Sequence, residues 1–339
     1  MMKPSDDMGR RGFLGTIAGT AAVAGAQAQS QPAEAGSSKK KEPFRGVFTI
    51  PCTTFREDGE IDIPSFRREI DFCIQCGAHG LVFPVNASEW SSLSDDERFQ
   101  LDKVLVEQNA GRLPVVIGVN APSAETAARF AAHAREIGAD AVIAMPPRGV
   151  SAMPVIFNYY RRLSGAAQLP VFVQDHDAPA GFPMPVDFLV RMCRELDYVK
   201  YIKEEAMPST GKTTAILSSA QAACKGVFGG AGGRYLVEEH MRGCSGQMPG
   251  CHVTDVVVAL WSALEAKDDT RAMYVYKELA PLFFVETLGI NYKDVLVRRG
   301  VIASAFRRNS LAQMDPVSSK YLDRILRDLE PLMTWKRGQ

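Results

Sequence analysis

From residue 46 onward a short apolar run is followed by a longer amphipathic one, and the pair recurs eight times. The apolar runs are Gly46–Pro51, Gly80–Val85, Pro114–Val119, Ala141–Met145, Pro170–Gln174, Val199–Lys203, Gly226–Phe228 and Gly246–Met248. Runs of this length bounded by turn residues read as buried strands. After each comes helical spacing, over residues 64–77, 94–110, 123–137, 153–166, 185–196, 211–223, 232–243 and 254–266. Some helix starts are marked. Ser94 and Glu97 fit a capping box, Ser123 opens a partial one whose fourth position is Thr126, and Pro185 suits a first turn. Regular alternation of strand and helix calls for a parallel sheet. Eight units close a barrel, whereas an open doubly wound sheet would carry a glycine fingerprint after its first strand, where this chain has Pro51-Cys52-Thr53-Thr54-Phe55. Residues 45–266 are predicted to form an α/β-class (β/α)8 TIM barrel, and residues 267–339 a C-terminal helical extension of roughly three helices.

The chain of 339 residues balances 39 Lys and Arg against 39 Asp and Glu. A nucleic-acid partner would call for a basic face. Past the N-terminus no apolar run is long enough to span a membrane. The N-terminus reads separately. Arg10-Arg11-Gly12-Phe13-Leu14 is a twin arginine, an apolar run reaches Ala26, and Ala26-Gln27-Ala28 is a small-x-small site. Residues 1–28 are predicted to be a twin-arginine signal peptide and residues 29–44 a disordered polar linker, with the mature protein exported to the periplasm. Seven cysteines sit awkwardly with disulfide pairing. They read as small buried residues, including Cys73 and Cys76 inside a helical pattern. A route that exports folded proteins lets such thiols survive.

Barrels work at the C-terminal ends of their strands. That rule nominates Thr53 and Thr54, Asn86, Ser88 and Glu89, Pro147 and Arg148, Gln174 to Asp177, Lys203 and Glu205, Gly229 to Arg234, and Pro249 to His252. Alternation puts Val199, Tyr201, Lys203 and Glu205 on one face of the sixth strand. If the first two fill the core, Lys203 is the first group to emerge, partly desolvated. Desolvation favours the neutral amine, which can attack a ketone to form a Schiff base. That chemistry needs a proton carrier. Glu205 shares the face of Lys203, Tyr201 lies one pleat below, and His176 titrates in a useful range. Asp175-His176-Asp177 has metal-ligand types, but three consecutive residues cannot converge on one ion, and no metal is predicted. The run Gly229–Arg234 either makes a tight turn with room for substrate or cradles an anion, with Arg234 holding an acidic tail. Trp90 and Trp261 read as packing.

The chain resembles the dihydrodipicolinate synthase / N-acetylneuraminate lyase superfamily over most of residues 45–310. The resemblance rests on Gly46 to Phe55, Glu57-Asp58-Gly59-Glu60-Ile61-Asp62, Val85-Asn86-Ala87-Ser88-Glu89, Leu93 to Arg98, Pro114 to Val119, Leu169-Pro170 and Tyr201-Ile202-Lys203-Glu204. It implies a barrel with a C-terminal extension, usually a homotetramer, with a homodimer as the other assembly. It also implies an imine between Lys203 and a 2-oxo acid, typically pyruvate. The protonated imine is its own electron sink, so no cofactor is implied. The departures are equally specific. The tyrosine of the fifth strand aligns with Gln174, its hydroxyl relay partner with Asn86, and the tyrosine after the fourth strand with Arg148. The carboxylate-binding arginine falls near Pro179, and the two glycines of the second turn are Val85 and Ser88.

These readings converge on a class I lyase that cleaves, condenses or dehydrates a 2-oxo acid, such as pyruvate or a keto-deoxy sugar acid. Its catalytic residues would be Lys203, Glu205, Tyr201 and His176. Its substrate would meet Asn86, Ala87, Ser88, Arg148, Gln174, Asp175 and Gly230. The alternatives are an exported binding protein that keeps the lysine without turnover, a 4-hydroxy-tetrahydrodipicolinate synthase with an altered proton relay, and a metal-dependent barrel hydrolase. Export favours catabolism of an external sugar acid over lysine biosynthesis.

Overall fold

Eight parallel strands pair in chain order, and the eighth closes on the first. They are β1 (Gly46–Thr49), β2 (Gly80–Phe83), β3 (Val115–Gly118), β4 (Ala141–Ala144), β5 (Val171–Asp175), β6 (Val199–Glu204), β7 (Gly226–Gly229) and β8 (Gly246–Gln247). The helices between and after them are α1 (Ile63–Gln75), α2 (Asp95–Asn109), α3 (Ala124–Glu136), α4 (Met153–Ala167), α5 (Val186–Glu195), α6 (Ser209–Ala220), α7 (Leu236–Met241) and α8 (Thr254–Glu265). The computed structural model describes residues 43–177, 183–286, 289–310 and 314–335. The expected signal peptide, the linker up to residue 42, and Pro179 lie outside the described residues.

Parallel strands are covered on both faces, so their residues run apolar throughout and alternate between two cores. Leu81, Phe83, Ile117, Val142, Val173 and Ile202 face the helices and pack with Phe66, Leu105, Phe130 and Leu189. Phe48, Val82, Val116, Ile143, Phe172, Tyr201 and Phe228 fill the barrel. The Ser94–Glu97 capping box forms and starts α2. All seven cysteines are buried and free of disulfides.

Two details of the barrel floor depart from expectation. Phe44 is not linker. It is buried, stacks on Phe172 at 6.0 Å and meets Tyr201 at 5.2 Å, so the barrel begins one residue earlier than predicted. The second detail is a register shift. Val171 pairs with Val199 but Phe172 pairs with Tyr201, which leaves Lys200 as an extra residue on β6. An extra residue flips what precedes it. Val199 therefore faces the helices while Tyr201 faces the barrel axis. The expected common face holds only from Tyr201 onward.

The extension comprises α9 (Asp269–Glu286), α10 (Tyr292–Arg298) and α11 (Pro316–Leu329). Leu279, Leu282, Leu322, Ile325 and Leu329 pack with Leu260 and Trp261 of α8. α10 is fixed more tightly than its length suggests. Asn291 and Asp294 form a capping box at its start. Lys293, fully buried, pairs with the Glu89 carboxylate and donates to the Phe306 carbonyl at 2.9 Å. This ties the start of α10 to the turn after β2.

Candidate active site

The strands open at their C-terminal ends onto a cavity of about 240 Å³. Val85, Asn86 and Ala87 line it after β2, Gln174 and His176 at the end of β5, and Lys203 and Glu205 at the end of β6. Ala231, Gly232 and Arg234 contribute from the turn after β7, Met248 and Gly250 follow β8, and Tyr292 enters from α10.

Lys203 and Glu205 are the chemical centre. Lys203 Nζ lies 3.1 Å from Glu205 Oε2, and the two side chains are only 4% and 8% exposed. Gln174 pairs with Lys203 across the strands, which brings its amide to Glu205. Gln174 Nε2 donates to Glu205 Oε2 at 2.6 Å, and the Ala231 N–H donates to Oε1 at 2.8 Å. Burial pushes the Glu205 carboxyl up. Lys203, then His176, the Ala231 N–H and Gln174 pull it down further, and the net result is below the usual glutamate range. Glu205 is thus an ionised carboxylate beside an amine, in a site nearly closed to water.

Gly230 serves this pair rather than the substrate. A Cβ there would fall 2.1 Å from Glu205 Oε1, so only glycine lets the carboxylate reach the turn. Of the two expectations for Gly229–Arg234, a tight turn or an anion cradle, the turn directs its Ala231 N–H to the carboxylate of Glu205. Arg234 lines the cavity with its guanidinium donating to the Phe283 carbonyl at 3.2 Å and 3.8 Å from Glu286.

Four other predicted residues are placed elsewhere. Tyr201 does not reach Lys203. Its hydroxyl accepts the Phe44 N–H at 3.1 Å, ahead of β1 and therefore at the opposite end of the barrel. Its ring stacks on Phe172 at 4.5 Å as part of the floor. Asp175 is fully buried on the helix-facing side, one residue out of phase with Gln174, where it accepts from the Met184 N–H and pairs with Lys212. Arg148 is exposed and absent from the cavity wall. Ser88 donates its hydroxyl proton to the Pro51 carbonyl at 2.7 Å, and its N–H goes to the Val85 carbonyl, so it braces the turn instead of meeting substrate. Val85 sits at φ −132°, ψ −168°, extended backbone that needs no glycine.

Asn86, Ala87, Gln174 and His176 do reach the cavity. The N–H groups of Asn86 and Ala87 open a short 3-10 turn, where no intrahelical acceptor precedes them. They are free to meet a carboxylate. Trp90 donates to Asn86 Oδ1 at 3.1 Å from outside, and Trp261 packs against Arg45. A separate buried group, Cys52, Glu69 and Cys251, has metal-ligand chemistry. There Glu69 Oε1 already accepts from the Cys52 N–H and the Cys251 thiol, and none of the three lines the cavity.

A profile of the dihydrodipicolinate synthetase family matches residues 43–328. The chain belongs to this family. A curated member, the L-2-keto-3-deoxyarabonate dehydratase of Azospirillum brasilense, is 33% identical over 305 residues, covering 88% of this chain and 98% of that one. The 4-hydroxy-tetrahydrodipicolinate synthase of Maridesulfovibrio salexigens is 26% identical, covering 82% and 96%. Among solved structures, a family member from Escherichia coli K12, determined with pyruvate, superposes with a TM-score of 0.79 at 22% identity, covering 86% of this chain and all of that one. The dihydrodipicolinate synthase of Rhodopseudomonas palustris gives 0.79 at 24%, covering 84% and 97%. At such identities the structures speak to the fold. Its curated relatives make the chain a lyase of the dihydrodipicolinate synthetase family. Gln174 stands beside Lys203 across the strands, and its amide holds Glu205. Tyr292 was missed by sequence reasoning. The available signals were its place just after a capping Asn291 and the glycine at position 250, where a Cβ would fall 2.6 Å from the Tyr292 ring.

Proposed function

We propose that the cavity binds a 2-keto-3-deoxy sugar acid and removes water from it through an imine on Lys203. The observation that carries this is the 3.1 Å pairing of Lys203 Nζ with a buried, ionised Glu205. Lys203 attacks the C2 ketone, and loss of water gives a protonated imine that acidifies the C3 hydrogens. A carboxylate beside Nζ is near C3, two bonds away, and farther from the C4 hydroxyl that aldol cleavage would have to deprotonate. Glu205 takes the C3 proton, and the enamine expels the C4 hydroxyl. The substrate carboxylate meets the Asn86 and Ala87 N–H groups, across the barrel from β6. A cavity of about 240 Å³ suits a small acid of this kind. Similarity to a named keto-deoxy acid dehydratase along nearly the whole chain supports the same substrate class.

The reading extends to export by the twin-arginine route, tested by fractionating cells for the mature protein, and to a homotetramer or homodimer, tested by light scattering. The decisive assay incubates the enzyme with 2-keto-3-deoxypentonate and follows products by mass. Dehydration yields a product lighter by one water. Release of pyruvate would instead establish aldol cleavage, and unchanged substrate across a panel of keto-deoxy acids would refute the proposal.

A further inference from the structure

Dehydration needs an acid as well as a base, because a C4 hydroxyl leaves poorly as hydroxide. The position beside Lys203 on the neighbouring strand is occupied by Gln174, whose amide is committed to Glu205 and carries no acidic proton. A phenol does line the cavity, from another part of the chain. Tyr292 is the first residue of α10, held by the Asn291 cap on one side and the buried Lys293–Glu89 pair on the other. Its ring lies flat on His252, with centroids 4.4 Å apart and planes 11° apart. Gly250 leaves room for the ring, and a Cβ on Gly232 would sit 3.4 Å from the hydroxyl. The hydroxyl therefore lies at the turn after β7, which also supplies the Ala231 N–H to Glu205. No described residue hydrogen-bonds to it. Burial, reinforced by Glu286 and opposed by Arg234, pushes the phenol up and keeps it protonated.

We infer that Tyr292 donates the proton to the C4 oxygen as it leaves. This rests on the Lys203–Glu205 reading above. Glu205 takes the proton from C3, and the C3–H electrons form the enamine. As the enamine collapses, the C4–O bond breaks with its electrons on oxygen, which takes the phenolic proton and departs as water. The proton held by Glu205 then returns to the phenolate through that water, restoring both groups.

The test is Tyr292→Phe, which keeps the ring on His252 and removes only the hydroxyl. Three readouts separate a proton donor from a structural residue. Borohydride reduction should still trap substrate on the variant at wild-type yield. Turnover of the natural 4-hydroxy substrate should fall at least about 100-fold. A 4-fluoro analogue, whose fluoride leaves without a proton, should be turned over within a few-fold of wild type. Wild-type turnover of the hydroxy substrate by the variant would overturn the inference. So would an equal loss on the fluoro analogue, or loss of the trapped adduct. A solvent deuterium isotope effect on the wild type, present with hydroxyl and absent with fluoride, gives the same discrimination without any variant. If the wild type gives neither adduct nor dehydration, the imine reading itself fails and takes this inference with it.

Discussion

Consecutive residues of β6 carry two charge clusters of similar composition in opposite settings. On the barrel side, Lys203 and Glu205 form one ammonium–carboxylate pair, completed by Gln174 and the Ala231 N–H, at the wall of a cavity. On the helix side, Lys212 of α6 meets both Asp175 and Glu204, with Lys212 Nζ 3.5 Å from Glu204, and none of the three lines that cavity. The counting differs as well. The inner cluster has one carboxylate per ammonium, so Glu205 stays ionised below the usual range. The outer cluster has two carboxyls for one ammonium. There burial first, then Asp175, pushes Glu204 up to about 9, so it holds its proton at neutral pH. Strand alternation separates the two by one residue. The same side-chain chemistry becomes a reactive pair where it faces space and a structural brace where it does not.

That contrast can be broken at either cluster. The largest effect should come from Glu205→Gln, with turnover lower by about 10²–10⁴-fold while borohydride still labels Lys203. In the wild type, the lowered Glu205 places the acid limb of kcat/KM below the ordinary glutamate value of 4.5, since the base must be ionised. An unchanged rate in the variant would remove Glu205 as the base. Lys212→Met should act on stability instead. Orphaning buried carboxyls costs about 3–5 kcal/mol in urea unfolding, with activity per folded molecule little changed. A variant that folds normally but loses activity would merge the two clusters into one site.

The smallest effect is a pH slope. A carboxyl whose folded pKa lies above its unfolded one makes the folded state bind more protons. Stability then falls as pH rises from 4.5 towards about 9. Glu69 and Glu239, each raised to about 7 chiefly by burial, act in the same direction. Glu204→Gln should therefore flatten part of the slope, by at most about 1.4 kcal/mol per pH unit, as read from unfolding at several pH values. An unaltered slope would mean that Glu204 ionises freely.

The barrel was legible because its signal repeats. Eight short apolar runs each followed by helical spacing leave few alternatives, and Lys203 then follows from its place at a strand end. What the sequence hid was direction. Tyr201 shares the phase of Lys203, yet its hydroxyl turns to Phe44 at the floor, and no local pattern announces that Phe44 closes the barrel. The extra residue at Lys200 reversed Val199 alone, without moving Lys203. Asp175 adjoins two cavity residues in sequence and still faces away, because a regular strand alternates through it. Gly230 was legible as a glycine-rich turn but not as the seat of Glu205, since that contact joins β6 to the loop after β7. Tyr292 lies far along the chain, and only the closing of α10 over the mouth brings it to the cavity.

The central claim is that Lys203 forms the covalent bond. The measurement that tests it most directly is borohydride reduction of the protein incubated with 2-keto-3-deoxypentonate, and separately with pyruvate, followed by peptide mass analysis. The account predicts a reduced adduct on the peptide holding Lys203, and none on Lys203→Ala. An adduct at another lysine, or turnover of substrate with no adduct under reduction, would contradict it.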